Sequence, residues 1–350
     1  MSKHIRANLW LLVFTLLMCS VLYPAVLLGI GKVFFPHQVE GSLIRDKDGK
    51  VIGSELIAQP FSSPEYFQPR PSATTPAYNA AASGASNYGA SNPLLRARVA
   101  QQLGPIVSYE GSSPTGNTVQ KDIETWFAQW SKDHPKASDG VVAEWADTYP
   151  SVAAAWVKTD DAHKDLVKEW MTANDAAVKA FVAAHPDNPQ PQPEDLATDF
   201  FKRYAQTHPG SFPSYVAPEG KTEKVWQDLK DGSDIQSIFF DMWLREHPDA
   251  KLKQVPGDLV MSSASGLDPH ITLDNARFQL DGVADAWAKK THQDRARVRQ
   301  AIDQLLQEKA RAPFGGLVGK PLVNVLEVNL ALEGLMEKLA AGSSGNGGPA

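Results

Sequence analysis

The sequence predicts one N-terminal transmembrane helix plus an α+β extracytoplasmic domain, the latter interrupted by a mainly α-helical domain. Three observations predict this. An uncharged apolar run opens the chain, β-prone segments alternate with helical stripes on either side of its middle, and an aromatic-rich repeat fills residues 113–252. The composition fits a folded chain with room for more than one core: 350 residues, 43% hydrophobic and 21% charged. A net charge of −6 gives no electrostatic reason to expect nucleic acid as a partner. The single cysteine, Cys19, lies inside the apolar run, so neither an intramolecular disulfide nor a cysteine metal site can form.

The run Leu9–Gly31, LWLLVFTLLMCSVLYPAVLLGIG, carries no charge. As a helix it spans about 34 Å against a hydrocarbon core of about 30 Å. Trp10 and Tyr23 suit the two interfaces, and Pro24 is tolerable in a spanning helix. A cleaved signal peptide fits less well, because the run exceeds an h-region of about 7–15 residues and no small-x-small site follows it. Lys3 and Arg6 precede the run and Lys32 follows it closely. The positive-inside bias therefore predicts residues 1–8 in the cytoplasm, a transmembrane helix over 9–31, and everything from Lys32 onward outside.

The first soluble zone, 32–112, opens with GSLIRDKDGKVIGSEL, in which β-prone runs flank the turn pair Asp48-Gly49 and predict a hairpin. Residues 59–93 are dense in Pro, Gly, Ser, Asn and Ala and predict an extended loop. Asn92-Pro93 reads as an N-cap and first-turn proline, with Leu95, Val99 and Leu103 striping the helix behind it.

In the middle zone three copies align without gaps: Trp126-Phe127-x-x-Trp130-x-x-x-His134-Pro135, Phe200-Phe201-x-x-Tyr204-x-x-x-His208-Pro209 and Phe239-Phe240-x-x-Trp243-x-x-x-His247-Pro248. Trp145-x-x-x-Tyr149-Pro150 and Phe181-x-x-x-His185-Pro186 keep the second half. Aromatics at i, i+4 and i+8 share a helix face, and the proline disfavours helical geometry just before it, so each copy predicts a short amphipathic helix with a hard stop. The histidines have no second ligand at i±4, which favours a capping role over a metal site. Irregular spacing favours a small bundle over a solenoid.

In the last zone, Leu280, Val283, Ala284 and Trp287 form one helical stripe, and Val298, Ile302 and Leu306 a second, with Thr291 and Asp294 spaced as a rough capping box. A helix is expected to begin near Asp274. PLVNVLEVNL reads as a strand leading into a final helix near Ala331–Leu339, and the Gly/Ser-rich end, 341–350, predicts a disordered tail.

The common phosphate-loop, dinucleotide, zinc-protease and esterase signatures are absent. Ser265, Asp268 and His270 are the parts of a triad, but crowding them into so short a segment favours a turn in which Ser and Asp bond nearby backbone. Arg70, held between prolines, is presented for a carboxylate on a partner or on the same chain.

The stretches GSLIRDKDGKVIGSELIAQPFSSPEYFQPRPSA, YNAAASGASNYGASNP, DLVMSSASGLDPHI and VNVLEVNLAL, in that order after an anchor, closely resemble the KdpC family, the C subunit of the bacterial ATP-driven Kdp potassium transporter. The resemblance covers 1–112 and 253–338. It implies a KdpC-like α+β domain over 32–112 and 253–340, and makes 113–252 an inserted helical domain. It further implies a bacterial inner-membrane accessory subunit without its own hydrolytic site. The implied partners are a channel-like potassium-translocating subunit, a P-type ATPase subunit and the lipid bilayer. The family's role as a catalytic chaperone that raises the ATP affinity of the ATPase subunit is implied as well, with ATP as the nucleotide and no tightly bound cofactor. The predicted orientation argues against direct ATP contact, because only about eight residues face the cytoplasm. Candidates for partner contact or for the effect on nucleotide affinity are Gln68, Arg70, Ser72, Tyr78, Asn79, Ser86, Asn87, Ser263, Ser265, Asp268 and His270. Two other functions compete with this reading: a membrane-tethered module that binds an envelope component through the aromatic repeat, and a hydrolase using Ser265, Asp268 and His270.

Overall fold

The computed structural model describes residues 3–46, 48–134, 140–217 and 223–344. The chain divides into two compact units, Met1–Ser86 with Pro256–Ala350, and Asn87–Val255.

The first unit begins with a helical run over Lys3–Phe34, long and apolar enough to cross a membrane and unburied along its apolar stretch. The run is longer than Leu9–Gly31 at both ends. It contains one π-helical turn, Met18–Leu22, in which the Tyr23 N–H donates to Met18 O, five residues back. Pro24 follows immediately, and the wider turn gives its ring room while the proline itself has no N–H to place.

The predicted hairpin forms between Leu43–Arg45 and Val51–Ser54, in register Leu43 with Ser54. Asp46 closes its turn by accepting the Asp48 and Lys50 N–H groups at 3.0 and 2.9 Å. The segment after it is irregular, as its composition predicts, apart from a 3-10 turn at Ala80–Ala82. A short antiparallel pair, His270–Thr272 with Leu322–Asn324, joins the C-terminal helices to this loop region. The sequence had not indicated the first of those strands, which is too short to develop an alternating pattern.

Three helices, Leu273–Thr291, Arg295–Lys309 and Val325–Ser344, enclose the core. Leu280, Val283, Trp287, Val298, Ile302 and Leu306 are all buried in it, together with Phe67 from the loop. The first helix begins at Leu273, as expected near Asp274, with Thr272 capping it by accepting the Asn275 N–H at 3.1 Å. The other helix boundaries correct two expectations. Thr291 ends that helix instead of opening a capping box, its hydroxyl donating to Trp287 O, and Asp294 alone caps the next helix by accepting the Arg297 N–H. The last helix begins at Val325 because Asn324 Oδ1 accepts the Leu326 and Glu327 N–H groups, capping it six residues before the expected start. That helix continues through Ser344, so 341–344 are helical, and the rest of the expected tail lies outside the described residues.

The second unit is mainly helical. Its core holds Ile123, Phe127, Trp145, Phe201, Phe212, Phe239 and Trp243, with Trp145 meeting Phe201 edge-on at 5.0 Å and Phe212 at 5.5 Å. The repeat behaves as the spacing predicts: helices Val119–Asp133, Asp175–Ala184, Ala197–Thr207 and Ser233–Glu246 stop at His134, His185, His208 and His247, and Val141–Thr148 stops at Tyr149. Each histidine ring stacks on the aromatic four residues earlier, with centroids 4.2–4.8 Å apart. At His134, His185 and His247 the ring Nδ1 also lies 3.1, 3.0 and 2.8 Å from the carbonyl oxygen of that aromatic residue. A donor there satisfies a carbonyl that the helix end would otherwise leave exposed.

Two features were not expected. A hairpin, Phe212–Val216 with Val225–Leu229, interrupts the helices. The Pro93–Leu103 helix, capped by Asn92 as predicted, belongs to this unit and not with residues before 113, because it packs along Ser233–Glu246 with Leu94, Ala97 and Leu103 against the shared core. Gly104 allows that approach: a Cβ there would stand 2.0 Å from Gln236 O.

Candidate functional site

Most of the candidate residues meet where two irregular loops of the first unit interlock, one within 58–86 and the other within 261–270. Ala58 and Gly84 donate backbone N–H groups to Leu267 O and Ser265 O at 2.7 and 2.9 Å. Ser72 Oγ donates to Gly266 O at 2.8 Å and accepts the Tyr78 N–H at 3.0 Å. Tyr78 returns the contact by donating its hydroxyl to Arg70 O at 2.9 Å, and burial pushes that phenol up from its ordinary value. Asn79 donates its N–H to Thr74 Oγ1 and caps the 3-10 turn through Oδ1. Gly266 sits at φ +68°, and a Cβ on it would lie 2.8 Å from Gly84 O and 2.9 Å from Thr74 Cγ2. Only glycine both adopts that conformation cheaply and admits the opposing loop so closely.

Arg70 does find a target on the same chain, but it is not a carboxylate. Its Nε and Nη2 donate to Met261 O at 3.2 Å and Ser262 O at 3.0 Å, tying the loops together through the rigid fork of the guanidinium.

Its charge still acts on Asp268. Burial is the largest single influence and raises that carboxyl, but the hydrogen bonds from the His270 ring and N–H together with the nearby charges of His270 and Arg70 outweigh it, so Asp268 is held below the usual carboxylate range. His270 Nδ1 lies 2.9 Å from Asp268 Oδ1, which leaves Nε2 for another group. His270 also lines a cleft of about 150 Å³ with Lys309, Arg311 and Glu327.

Ser263 is buried and accepts the Asp268 N–H. The Ser265 hydroxyl accepts the Leu267 N–H at 3.2 Å and lies 3.4 Å from Ser263 Oγ. Among the described residues no hydrogen bond links Ser265 to His270, so the nucleophile–base contact of a triad is not formed and the segment is organised as a turn. Ser86 and Asn87 stand apart from the interlock, half-buried and exposed respectively, with Asn87 at φ 53°.

Gln68 is held by its backbone. Its N–H donates to Gln279 Oε1 at 2.8 Å, and its carbonyl accepts from Gln279 Nε2 at 3.1 Å. One residue earlier, Asn329 grips both backbone groups of Phe67 in the same way at 2.9 and 3.0 Å. Sequence reasoning did not single out these two clamping amides. The available signal was Asn329 five residues beyond Asn324 in VNVLEVN, where polar residues recur in an otherwise apolar helix.

An apolar run heading a unit of three core helices and two interlocked loops defines a membrane-associated protein whose candidate polar residues mainly hold the two loops together. Comparison with known proteins gives the particular family. The family model described as "K+-transporting ATPase, c chain" matches residues 5–139 and 235–334. The chain is 42% identical over 144 residues to the potassium-transporting ATPase KdpC subunit of Methylococcus capsulatus, covering 41% of this chain and 73% of that one. It is 48% identical over 111 residues to the KdpC subunit of Geobacter sulfurreducens (31% and 58%) and 43% identical over 151 residues to that of Citrifermentans bemidjiense (41% and 80%). The chain belongs to the KdpC family and is an accessory subunit of a potassium-transporting ATPase complex. The matched stretches include the first repeat helix, Val119–Asp133, and the last, Ser233–Glu246, from its third residue on, and leave 140–234 unmatched.

Proposed function

We propose that this subunit stands in the bacterial inner membrane with its N-terminus in the cytoplasm and both compact units outside. It binds the channel-like potassium-translocating subunit and the P-type ATPase subunit, and it acts as a catalytic chaperone that raises the ATP affinity of the latter without a hydrolytic site or a tightly bound cofactor of its own. The observation that carries this reading is the spanning run Lys3–Phe34 at the head of a family-matched unit. With ATP on the cytoplasmic side and about eight residues of this chain there, the effect on nucleotide is indirect. A subunit that binds one conformation of the pump more tightly shifts the population toward it, and each tenfold change in apparent ATP affinity requires about 1.4 kcal/mol of differential binding.

The anchor supplies lateral contact with the membrane subunits, and the interlocked loops hold the outer surface around Arg70, Asp268 and His270 in one shape for a partner. Residues 113–252 are read as an inserted domain, of which 140–234 lie outside the family match. Two measurements test the proposal. A tagged chain solubilised from the membrane should bring down both partner subunits, and a reporter fused after Leu339 should report an extracytoplasmic end. A chain purified alone, or a cytoplasmic reporter, would overturn the assembly or the indirect mechanism respectively.

A further inference from the structure

The Asn87–Val255 unit contains a cleft of about 380 Å³ that the pump-subunit reading does not use. It lies between the helices Asp161–Ala173 and Ala197–Thr207 and the hairpin Phe212–Val216/Val225–Leu229, and its size falls within the roughly 300–1,000 Å³ of small-molecule sites. Trp170, Phe200, Tyr204 and Trp226 line it with ring surface. The rings are fixed by their neighbours: Trp170 meets Phe200 edge-on at 5.8 Å, Tyr204 stacks on His208 at 4.4 Å, and Trp226 packs beside Tyr215 at 5.1 Å.

The polar groups narrow the ligand class. Asp228 shares the hairpin face of Trp226, two residues away, and its Oδ1 accepts the Tyr204 hydroxyl. Oδ2 lies 3.9 Å from His208 Nε2, beyond hydrogen-bond distance, and keeps acceptor capacity. Glu169 adds a second carboxylate, and Arg203, which spends Nη1 on Gln206 at 3.0 Å, brings further donors. Two carboxylates disfavour an anion, and the Arg203 guanidinium in the same lining opposes an ammonium ion. A purely hydrocarbon ligand would strip water from these groups and leave them unpaired, at a cost of about 1–3 kcal/mol each. The remaining class is uncharged, carries apolar ring faces, and offers both donors and acceptors around its edge.

We propose that this cleft binds a neutral saccharide, with pyranose faces against the aromatic wall and hydroxyls on Glu169, Arg203 and Asp228. The proposal does not rest on the pump-subunit reading, and either can fail alone.

The test uses the full chain in a detergent without a sugar headgroup, titrated with chitotetraose and cellotetraose, with choline and acetate as charged controls. Tryptophan fluorescence and saturation-transfer NMR report binding. The expected result is saturable binding of at least one tetrasaccharide, weakened tenfold or more by Trp226→Ala and by Glu169→Gln, and no binding of choline or acetate. Glu169 is exposed on its helix, so Glu169→Gln preserves the fold and keeps the test decisive if Trp226→Ala does not fold. Absence of saturable binding to both tetrasaccharides, preference for either charged probe, or affinity indifferent to Glu169→Gln would overturn the proposal.

Discussion

At Gly266 a single hydrogen atom decides whether two loops can meet. Gly266→Ala forces a positive φ on a residue with a Cβ and sets that Cβ against Gly84 O. The expected loss is about 1–3 kcal/mol of unfolding free energy, measured by denaturant titration of the full chain; a variant as stable as the parent would show that the loops separate without cost. Arg70→Lys should not substitute for the native residue, because an ammonium cannot reproduce the fork that reaches Met261 O and Ser262 O together. Thermal unfolding and pump co-purification should both decline in Arg70→Lys, and a parental result in both would contradict the role given to the guanidinium.

Acid dependence has its sign fixed by Glu65. The Lys290 side chain, with Ser63 adding a second hydrogen bond, lowers the Glu65 carboxyl from 4.5 to about 2. A folded-state value below the unfolded one means the stabilisation is present above pH 4.5 and is lost as pH falls toward 2. Asp268 shifts in the same direction. The urea midpoint should therefore fall on acidification through this range, and Lys290→Met should flatten the decline.

At the scale of elements, the aromatic–His–Pro repeat is a device for stopping helices. Its two halves carry different loads. Trp243 is buried in the core, whereas His247 closes the helix end from its rim. Trp243→Ala should cost about 3–5 kcal/mol, and His247→Ala about 0.5–1.5 kcal/mol. Equal losses in urea titrations would contradict this division. Much of this was legible in sequence because helix stops and aromatic faces are local properties: the repeat helices, the Asp48-Gly49 hairpin and the Asn92 cap all follow from residues within one or two turns. The start of the last helix was expected six residues too late and the cap of the Arg295–Lys309 helix was sought at Thr291 instead of Asp294, since several nearby side chains could have served and tertiary packing selected among them. The candidate loops could be named from the sequence but their contacts could not. Arg70 with Met261, Ser72 with Gly266 and Gln68 with Gln279 join positions about 190 to 210 residues apart, and no periodic pattern encodes such pairings. Family resemblance pointed to the right stretches, while the clamping amides Gln279 and Asn329 carried too weak a local signal.

For the whole molecule, the two units make deletion informative. Excising Ser113–Leu252 removes the Ser233–Glu246 helix and uncovers Leu94, Ala97 and Leu103, whereas excising Asn87–Val255 across a short Gly/Ser linker follows the unit's own bounds. The first deletion should extract in lower yield and unfold at a lower temperature than the second. The reverse order would mean that Pro93–Leu103 packs adequately without the rest of its unit.

A chain held almost wholly outside the cytoplasm is proposed to change how its pump uses ATP. The most direct test is potassium-stimulated ATP hydrolysis by the assembled complex, measured across ATP concentrations with and without this subunit. Removing the chain should raise the apparent KM for ATP several-fold or abolish stimulation. Unchanged KM and rate in a complex shown to lack the subunit would contradict it.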